Sequence, residues 1–118
     1  MKLKFYGYKG CGSCRKAKQW LDANGIAYDE LPIRETPPSI AELKRMLKHQ
    51  HGELRKLFNT SGGDYKAMNM KDRLPDITEA EAFALLAEHG NLVKRPFVVG
   101  KDVGLVGFKE DAWAEALG

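Results

Sequence analysis

The sequence predicts an α/β fold in which a β-α-β unit and a β-β-α unit enclose a helical block at about residues 39–89. Two patterns support this class. Short alternating or apolar runs near both ends of the chain are typical of strands. The middle contains apolar residues at helical spacing, preceded by residues that cap helices. The length of 118 residues suits a compact domain, and we expect one domain over residues 1–118.

The N-terminal unit consists of two predicted strands and one helix. The alternating, aromatic-rich segment KLKFYGY predicts a strand at roughly residues 2–8. Apolar residues at helical spacing then predict a helix at about residues 12–24, which ends where Gly25 follows. The segment IAYDELPI predicts a second strand. Because a helix connects the two strands, we expect them to pair in parallel.

The central block contains two capping boxes, in which a Ser or Thr is followed three residues later by Glu. Ser39 and Glu42 form the first box, and the apolar face of their helix should comprise Ile40, Leu43, Met46 and Leu47. The segment ELRKLFN predicts a short helix, and the glycines of NTSGGDY predict a loop after it. The segment TEAE, residues 78–81, begins a further helix that should end at Gly90.

The C-terminal unit is a predicted hairpin and helix. The apolar runs FVVG and VGLVGF flank a Lys-Asp turn, which is typical of a β-hairpin. The segment KEDAWAEAL predicts the last helix. A βαβ unit followed by a ββα unit is the element order of thioredoxin-like folds. The helical block would then be an insertion between the two halves of such a fold.

The composition indicates which kinds of binding partner and which cellular compartment are expected. The net charge is +3 and the pI is about 8.9, but basic and acidic residues alternate, so we expect no direct binding of nucleic acid. No apolar run approaches the roughly 20 residues of a membrane span, and the first residues do not resemble a signal peptide, so no membrane partner is expected. We therefore expect a cytoplasmic protein.

The two cysteines of the chain, Cys11 and Cys14, lie in the segment GCGSC. In the predicted order this segment joins the first strand to the start of the first helix. Unpaired backbone N–H groups and the helix dipole favour an anion there, and a thiolate is such an anion. We therefore expect Cys11 to be the nucleophile, with Cys14 one turn later as the resolving thiol.

The residues around the cysteine pair are small or positively charged. Gly12 and Ser13 should leave the sulfur atoms accessible, and three cations add positive charge: Arg15, Lys16 and Lys18. Two other interpretations remain. The pair could form half of a zinc site completed by His49 and His51, although residues two apart do not share a helix face and no metal is expected. It could also be two small buried side chains.

A second informative segment is KRPF, residues 94–97. Pro96 cannot donate a ladder hydrogen bond, so it belongs at the start of a strand. In thioredoxin-like folds a proline at this point is cis and lies against the cysteine turn. Arg95 would then project toward Cys11 and could hold a thiolate or a bound oxyanion. The alternative is an exposed arginine at a strand edge.

Five segments of the chain together resemble the ArsC family, which comprises glutaredoxin-type arsenate reductases, the Spx/MgsR regulators and YffB-like reductase homologues. The segments are GCGSCRKAKQWL, PPSIAELKRML, KLFNTSGGDYKAM, LLAEHGNLVKRPFVVG and VGFKEDAW. The resemblance implies a thioredoxin-like fold with a helical insertion. It also implies a catalytic cysteine at Cys11 and an oxyanion-binding arginine at Arg95.

The chain departs from the glutathione-linked arsenate reductases of that family, which have one active-site cysteine and three arginines. Arg95 matches one arginine, whereas Asn59 and Phe108 stand where the other two are expected. The C-x-x-C pair is more similar to the Spx/MgsR side of the family. There it is a thiol–disulfide switch on a partner of RNA polymerase.

Three functions follow from these patterns. The first is a thiol-dependent reductase with no bound cofactor, whose reductant is glutathione, thioredoxin or glutaredoxin. The second is an Spx-like regulator that binds the RNA polymerase alpha subunit through the turn at residues 10–12 and the segment KHQHGELR, residues 48–55. The third is an arsenate reductase, whose activity we expect to be weak or absent because two arginines are missing.

Overall fold

The computed structural model of the protein describes residues 2–118 and contains a four-stranded sheet in the order β2-β1-β3-β4. The strands are β1 (Leu3–Gly7), β2 (Tyr28–Pro32), β3 (Phe97–Val99) and β4 (Gly104–Val106). Strand β1 pairs in parallel with β2 and antiparallel with β3, and β3 pairs antiparallel with β4. The predicted α/β class, the parallel pair and the C-terminal hairpin are confirmed.

Six α-helices form within residues 2–118. They are α1 (Gly12–Ala23), α2 (Ile40–His49), α3 (Gly63–Ala67), α4 (Met70–Arg73), α5 (Glu79–Glu88) and α6 (Glu110–Leu117). Shorter 3-10 helices cover Leu54–Leu57, Leu74–Asp76 and Gly90–Leu92. The elements between β2 and β3 are therefore all helical, which confirms the predicted insertion.

The sheet separates two apolar cores, because successive side chains of a strand point to opposite faces. On one face, Phe5 of β1 and Val98 of β3 pack with α1 and α6; this core also contains Leu3, Cys14, Ala17, Leu21 and Trp113. On the other face, Tyr6 and Phe97 pack with the helical insertion. The first core therefore buries one of the two cysteines at the start of α1.

The first capping box forms as predicted, but one residue of the α2 face does not. The Ser39 hydroxyl accepts the N–H of Glu42, and the Glu42 carboxylate accepts the N–H of Ser39. Leu43, Met46 and Leu47 are buried, whereas Ile40 is 44% exposed. The prediction for Ile40 was wrong because this residue is the first of the helix, one turn before the buried part of its face.

The second capping box forms only in part. The Thr78 hydroxyl accepts the N–H of Glu81 at 3.1 Å, as predicted. The carboxylate of Glu81, however, accepts the hydroxyl of Thr78 at 3.0 Å and not a backbone N–H. Helix α5 ends at Glu88, and Gly90 begins a 3-10 turn. A Cβ at Gly90 would overlap the backbone carbonyl of Ile33, so this glycine allows a close approach of two chain segments.

The segment NTSGGDY is not entirely a loop. Helix α3 begins at Gly63, after an extended Gly62. The next residues include Tyr65, which is buried with its ring 6.3 Å from that of Phe58. Burial of this aromatic residue outweighs the low helix propensity of the glycine, which is why composition alone gave the wrong prediction.

Candidate functional site

Cys11 forms the N-cap of helix α1. Its Sγ accepts the backbone N–H of Cys14 at 3.2 Å. In most helices the N-cap side chain that accepts this hydrogen bond belongs to a residue such as Ser or Asp. The N–H of Cys11 itself donates to the carbonyl of Tyr8 at 3.1 Å. The sulfur is partly accessible and lies at the positive end of the helix dipole, which stabilises negative charge. The predicted position of Cys11 at the helix start is therefore observed.

Cys14 lies one turn later and is buried in the core on the α1 side of the sheet. It is 1% exposed and packs with Ala17 and Leu21. Burial raises its pKa from 9.0 to about 12, and a hydrogen bond with Cys11 acts in the same direction. Both cysteines are free thiols. The pair thus consists of one accessible sulfur and one buried thiol that stays protonated at neutral pH.

The glycines of the cysteine turn differ in the space that they require. A Cβ at Gly10 would lie 2.8 Å from the ring of Tyr8, so this ring packs directly against the turn. A Cβ at Gly7 would lie 3.5 Å from the sulfur of Cys14. Apart from its chain neighbours and the backbone of its own helix, no heavy atom of residues 2–118 lies within 4 Å of a Cβ built on Gly12, so the side of the turn at this residue is open.

The three cations that follow the cysteines are either exposed to solvent or paired with a carboxylate. Arg15 and Lys16 are exposed. Lys18 donates to the carboxylate of Glu30 at 2.9 Å, and this hydrogen bond raises the pKa of Lys18. Their expected effect on the thiols is thus reduced, because two charges face solvent and the third is paired.

The peptide bond between Arg95 and Pro96 is cis, as expected for the start of β3. Arg95 is half-buried, which excludes the alternative of a fully exposed side chain. Its guanidinium carbon lies 5.3 Å from the ring centroid of Tyr8, and one N–H reaches Asn91 Oδ1 at 3.5 Å. Arg95 therefore faces Tyr8, the residue whose carbonyl accepts the N–H of Cys11.

A groove of about 640 Å³ has Ser13, which lies between the two cysteines, among its lining residues. Its wall contains four cations and one acid: Arg55, Lys56, Lys94, Lys109 and Glu53. Phe108 and Trp113 add an aromatic surface, with their ring centroids 5.0 Å apart. We refer to this cavity as the basic groove. Its residues come from four separate chain segments, so sequence spacing did not reveal it.

The two positions that replace family arginines differ in their surroundings. Phe108 lines the basic groove. The side-chain nitrogen of Asn59 lies 2.7 Å from the position of a Cβ on Gly62, and the backbone N–H of Asn59 donates to Leu92. The side chain of Asn59 therefore lies against Gly62 of the same loop and its backbone is bonded to Leu92, whereas Phe108 lines the basic groove.

The histidines considered for a zinc site lie near the end of α2. His49 is the last residue of that helix, and His51 has a left-handed backbone with φ of 58°. Within residues 2–118, no group of three or more His, Cys, Asp or Glu side chains is placed to hold a metal ion. In the same range, no helix is both long and apolar enough to cross a membrane.

Comparison with known protein families identifies a family for this chain. The result agrees with the sheet order, the cysteine turn and the cis proline described above. The ArsC family model matches residues 6–116. The chain belongs to the ArsC family. At this level, membership supports a thiol redox protein with a thioredoxin-like fold.

The chain is also similar to individual members of this family in sequence and in structure. It is 45% identical over 115 residues to the protein YusI of Bacillus subtilis, with 98% of each chain covered. It is 31% identical over 106 residues to the regulatory protein MgsR of the same species, with 90% of this chain and 82% of MgsR covered. A crystal structure of an ArsC family related protein from Bacteroides fragilis superposes with a TM-score of 0.91 at 43% identity, covering 98% of this chain and 97% of the other.

Proposed function

We propose that this protein is a thiol–disulfide reductase in which Cys11 attacks the substrate and Cys14 resolves the product. One observation carries the proposal. The sulfur of Cys11 is accessible and caps helix α1, whereas the thiol of Cys14 is buried one turn away with a raised pKa. A reactive first thiol and a protected second thiol are what a two-cysteine exchange reaction requires.

In the first step, the thiolate of Cys11 attacks one sulfur of a substrate disulfide. The S–S bond of the substrate breaks, a mixed disulfide with Cys11 forms, and the other substrate thiolate leaves and takes a proton from solvent. Negative charge is thereby removed from the sulfur of Cys11. Because Cys11 contributes to the raised pKa of Cys14, this change makes Cys14 easier to deprotonate.

In the second step, the sulfur of Cys14 loses its proton and attacks the sulfur of Cys11. A Cys11–Cys14 disulfide forms, and the remaining substrate thiolate leaves and is protonated. Two electrons have then passed from the cysteine pair to the substrate. An external thiol, either glutathione or the dithiol of a thioredoxin or glutaredoxin, returns them by the reverse exchange.

The basic groove supports an anionic substrate or reductant. Its four cations line a cavity whose wall also includes Ser13, between the two cysteines. Gly107, which also lines the groove, has a positive φ of 69°. A Cβ at this position would lie 3.2 Å from the side chain of Lys94, one of the four cations. A peptide-like thiol that carries carboxylates, such as glutathione, fits the charge of this cavity.

Turnover of a disulfide by purified protein tests the proposal. With hydroxyethyl disulfide and either glutathione or thioredoxin with its reductase, the wild type should turn over and Cys11→Ser should be inactive. Cys14→Ser should accumulate a mixed disulfide on Cys11, visible by mass spectrometry, because the resolving step is blocked. Equal turnover by wild type and Cys11→Ser would refute the proposed role of Cys11.

A second candidate is an Spx/MgsR-like regulator that binds the RNA polymerase alpha subunit. It is favoured by the similarity to MgsR and by the exposure of most of the segment KHQHGELR, residues 48–55. In this case a Cys11–Cys14 disulfide would change binding and not turnover. Co-purification of the alpha subunit with one redox form, without disulfide turnover, would support the regulator over the reductase.

Arsenate reduction is the third candidate, and we expect it to be weak or absent. Its transition state carries several negative oxygens, and loss of a single stabilising donor typically lowers the rate by about 10²–10³. Phe108 supplies no donor, and the side chain of Asn59, which carries no charge, lies against Gly62. Arg55 and Lys56, which line the basic groove, are the cations available to replace the two missing arginines. An assay coupled to glutaredoxin and glutathione, with an authentic arsenate reductase in parallel, measures this directly.

A further inference from the structure

Tyr8 is approached by two arginines from different parts of the chain. The guanidinium carbon of Arg34, in the turn after β2, lies 3.8 Å from the ring centroid. That of Arg95, directly before β3, lies 5.3 Å from the same centroid. The ring also packs against Gly10, and the Tyr8 carbonyl accepts the N–H of Cys11. Two positive charges are therefore held beside the cysteine turn by one aromatic ring.

Within the described part of the chain, neither of these two arginines has a carboxylate at ion-pair distance. The ion pairs found among residues 2–118 involve only lysines: Lys2 with Asp29, Lys4 with Glu42, Lys18 with Glu30 and Lys56 with Glu53. Arg95 has the amide oxygen of Asn91 at 3.5 Å, at the outer limit of a hydrogen bond. The face of an aromatic ring attracts a guanidinium but leaves its N–H donors free.

This arrangement leaves donors available for a ligand. The two arginines carry like charges beside one ring, and a bound anion that contacts both would offset their repulsion. The planar donor set of a guanidinium matches the two oxygens of a carboxylate. Arg34 is exposed, so its donors are accessible from solvent. Tyr8, Arg34 and Arg95 are also absent from the lining of the basic groove, so the cluster is a separate site.

We propose that Arg34 and Arg95, positioned by the ring of Tyr8, form a subsite that binds a carboxylate of the thiol or disulfide substrate next to Cys11. The proposal rests on the reductase function only in that the bound molecule is the one that Cys11 attacks. Arg34 then determines specificity: it favours anionic over neutral substrates without taking part in thiol exchange. A substrate with carboxylates on both sides of its disulfide would contact this subsite and the basic groove together.

The rate of alkylation of Cys11 tests the subsite without any turnover. Iodoacetate carries a carboxylate and iodoacetamide does not, so the ratio of their rate constants reports attraction of an anion to the sulfur. Any effect on thiolate formation cancels in this ratio. Arg34→Met should lower the ratio by about threefold, the effect of one partly screened charge, and Arg34→Lys should lower it less. Arg73→Met, at an exposed arginine of α4, should leave it unchanged.

A ratio for Arg34→Met equal to that of the wild type would overturn the proposal. The role of Tyr8 is tested in the same way: Tyr8→Phe keeps the ring and should keep the ratio, whereas Tyr8→Leu should lower it. Circular dichroism checks that Tyr8→Leu is folded, and the conclusion on Arg34 does not depend on that variant.

Turnover separates this proposal from the reductase function. Arg34→Met should raise the KM for the dicarboxylate disulfide dithiobis(nitrobenzoate) by about threefold and leave that for hydroxyethyl disulfide unchanged. No turnover of either disulfide by wild type would refute the reductase function alone, because the alkylation ratio is measured independently.

Discussion

The difference in reactivity between the two cysteines is open to a direct measurement. Because the pKa of Cys14 rises from 9.0 to about 12, its thiolate fraction near neutral pH is about a thousandfold lower than that of an ordinary thiol. Its 1% exposure lowers reagent access further. We therefore expect iodoacetamide to alkylate native protein once, at Cys11, with Cys14 at least about a thousandfold slower than a free thiol.

Mass spectrometry over time, followed by peptide mapping, measures both rates in one sample. The control is the same protein in concentrated urea, where both cysteines lose their environment and should react at similar rates. The Cys11→Ser variant isolates the second thiol: it removes one contribution to the raised pKa of Cys14 but not its burial. In that variant Cys14 should remain slow in native protein.

Double alkylation of the native wild type at comparable rates would refute this reasoning. It would mean that the start of α1 opens often enough to expose Cys14, and that burial does not protect it. The division into an attacking and a resolving cysteine would then lose its physical basis.

Three further predictions concern the framework that holds the site. Tyr6→Phe removes the hydroxyl that donates to buried Glu42 at 2.7 Å, so urea denaturation should show a loss of about 2 kcal/mol. Tyr65→Phe is the control, because the Tyr65 hydroxyl forms no hydrogen bond with any side chain or backbone group of residues 2–118, and it should change stability much less. Burial raises the pKa of Glu42, but the Ser39 amide, the Tyr6 hydroxyl and the lysine at position 4 outweigh it and lower the pKa below 4.5. Its contribution is therefore complete above about pH 4.5 and is lost as the pH falls through the lower folded value, so Glu42→Gln should flatten the acid side of the stability profile. Gly90→Ala should destabilise by about 3 kcal/mol because its Cβ would overlap a backbone carbonyl, whereas Gly63→Ala has open space and should change stability by less than about 1 kcal/mol.

Features encoded in short segments could be predicted from the sequence. The box at Ser39 and Glu42 and the helix start at Cys11 each depend on neighbouring residues, and the structure contains both. The order of strands and helices followed from patterns of the same length. Local chemistry decides these features, so one segment contains the necessary information. The cis bond before Pro96, also observed, was expected from the thioredoxin-like element order and not from its neighbours.

Features that depend on distant contacts could not be predicted in this way. The exposure of Ile40, the helix that begins at Gly63 and the close approach at Gly90 are decided by what packs against each segment. The same holds for the site. Arg34 and Tyr8 are 26 positions apart with no motif linking them, and only the fold brings them together.

The capping of helix α1 by Cys11 links the redox state of the pair to the stability of the helix. When Cys11 is a thiolate, its sulfur is a stronger acceptor than the neutral sulfur of a disulfide, so oxidation of the thiolate form weakens the hydrogen bond from the N–H of Cys14. Loss of an N-cap typically destabilises a helix by about 1 kcal/mol. For a two-electron couple about 1.4 kcal/mol corresponds to 30 mV, so this one hydrogen bond raises the reduction potential by about 20 mV. Because the dithiol is the form with the intact cap, the helix itself makes the disulfide easier to reduce.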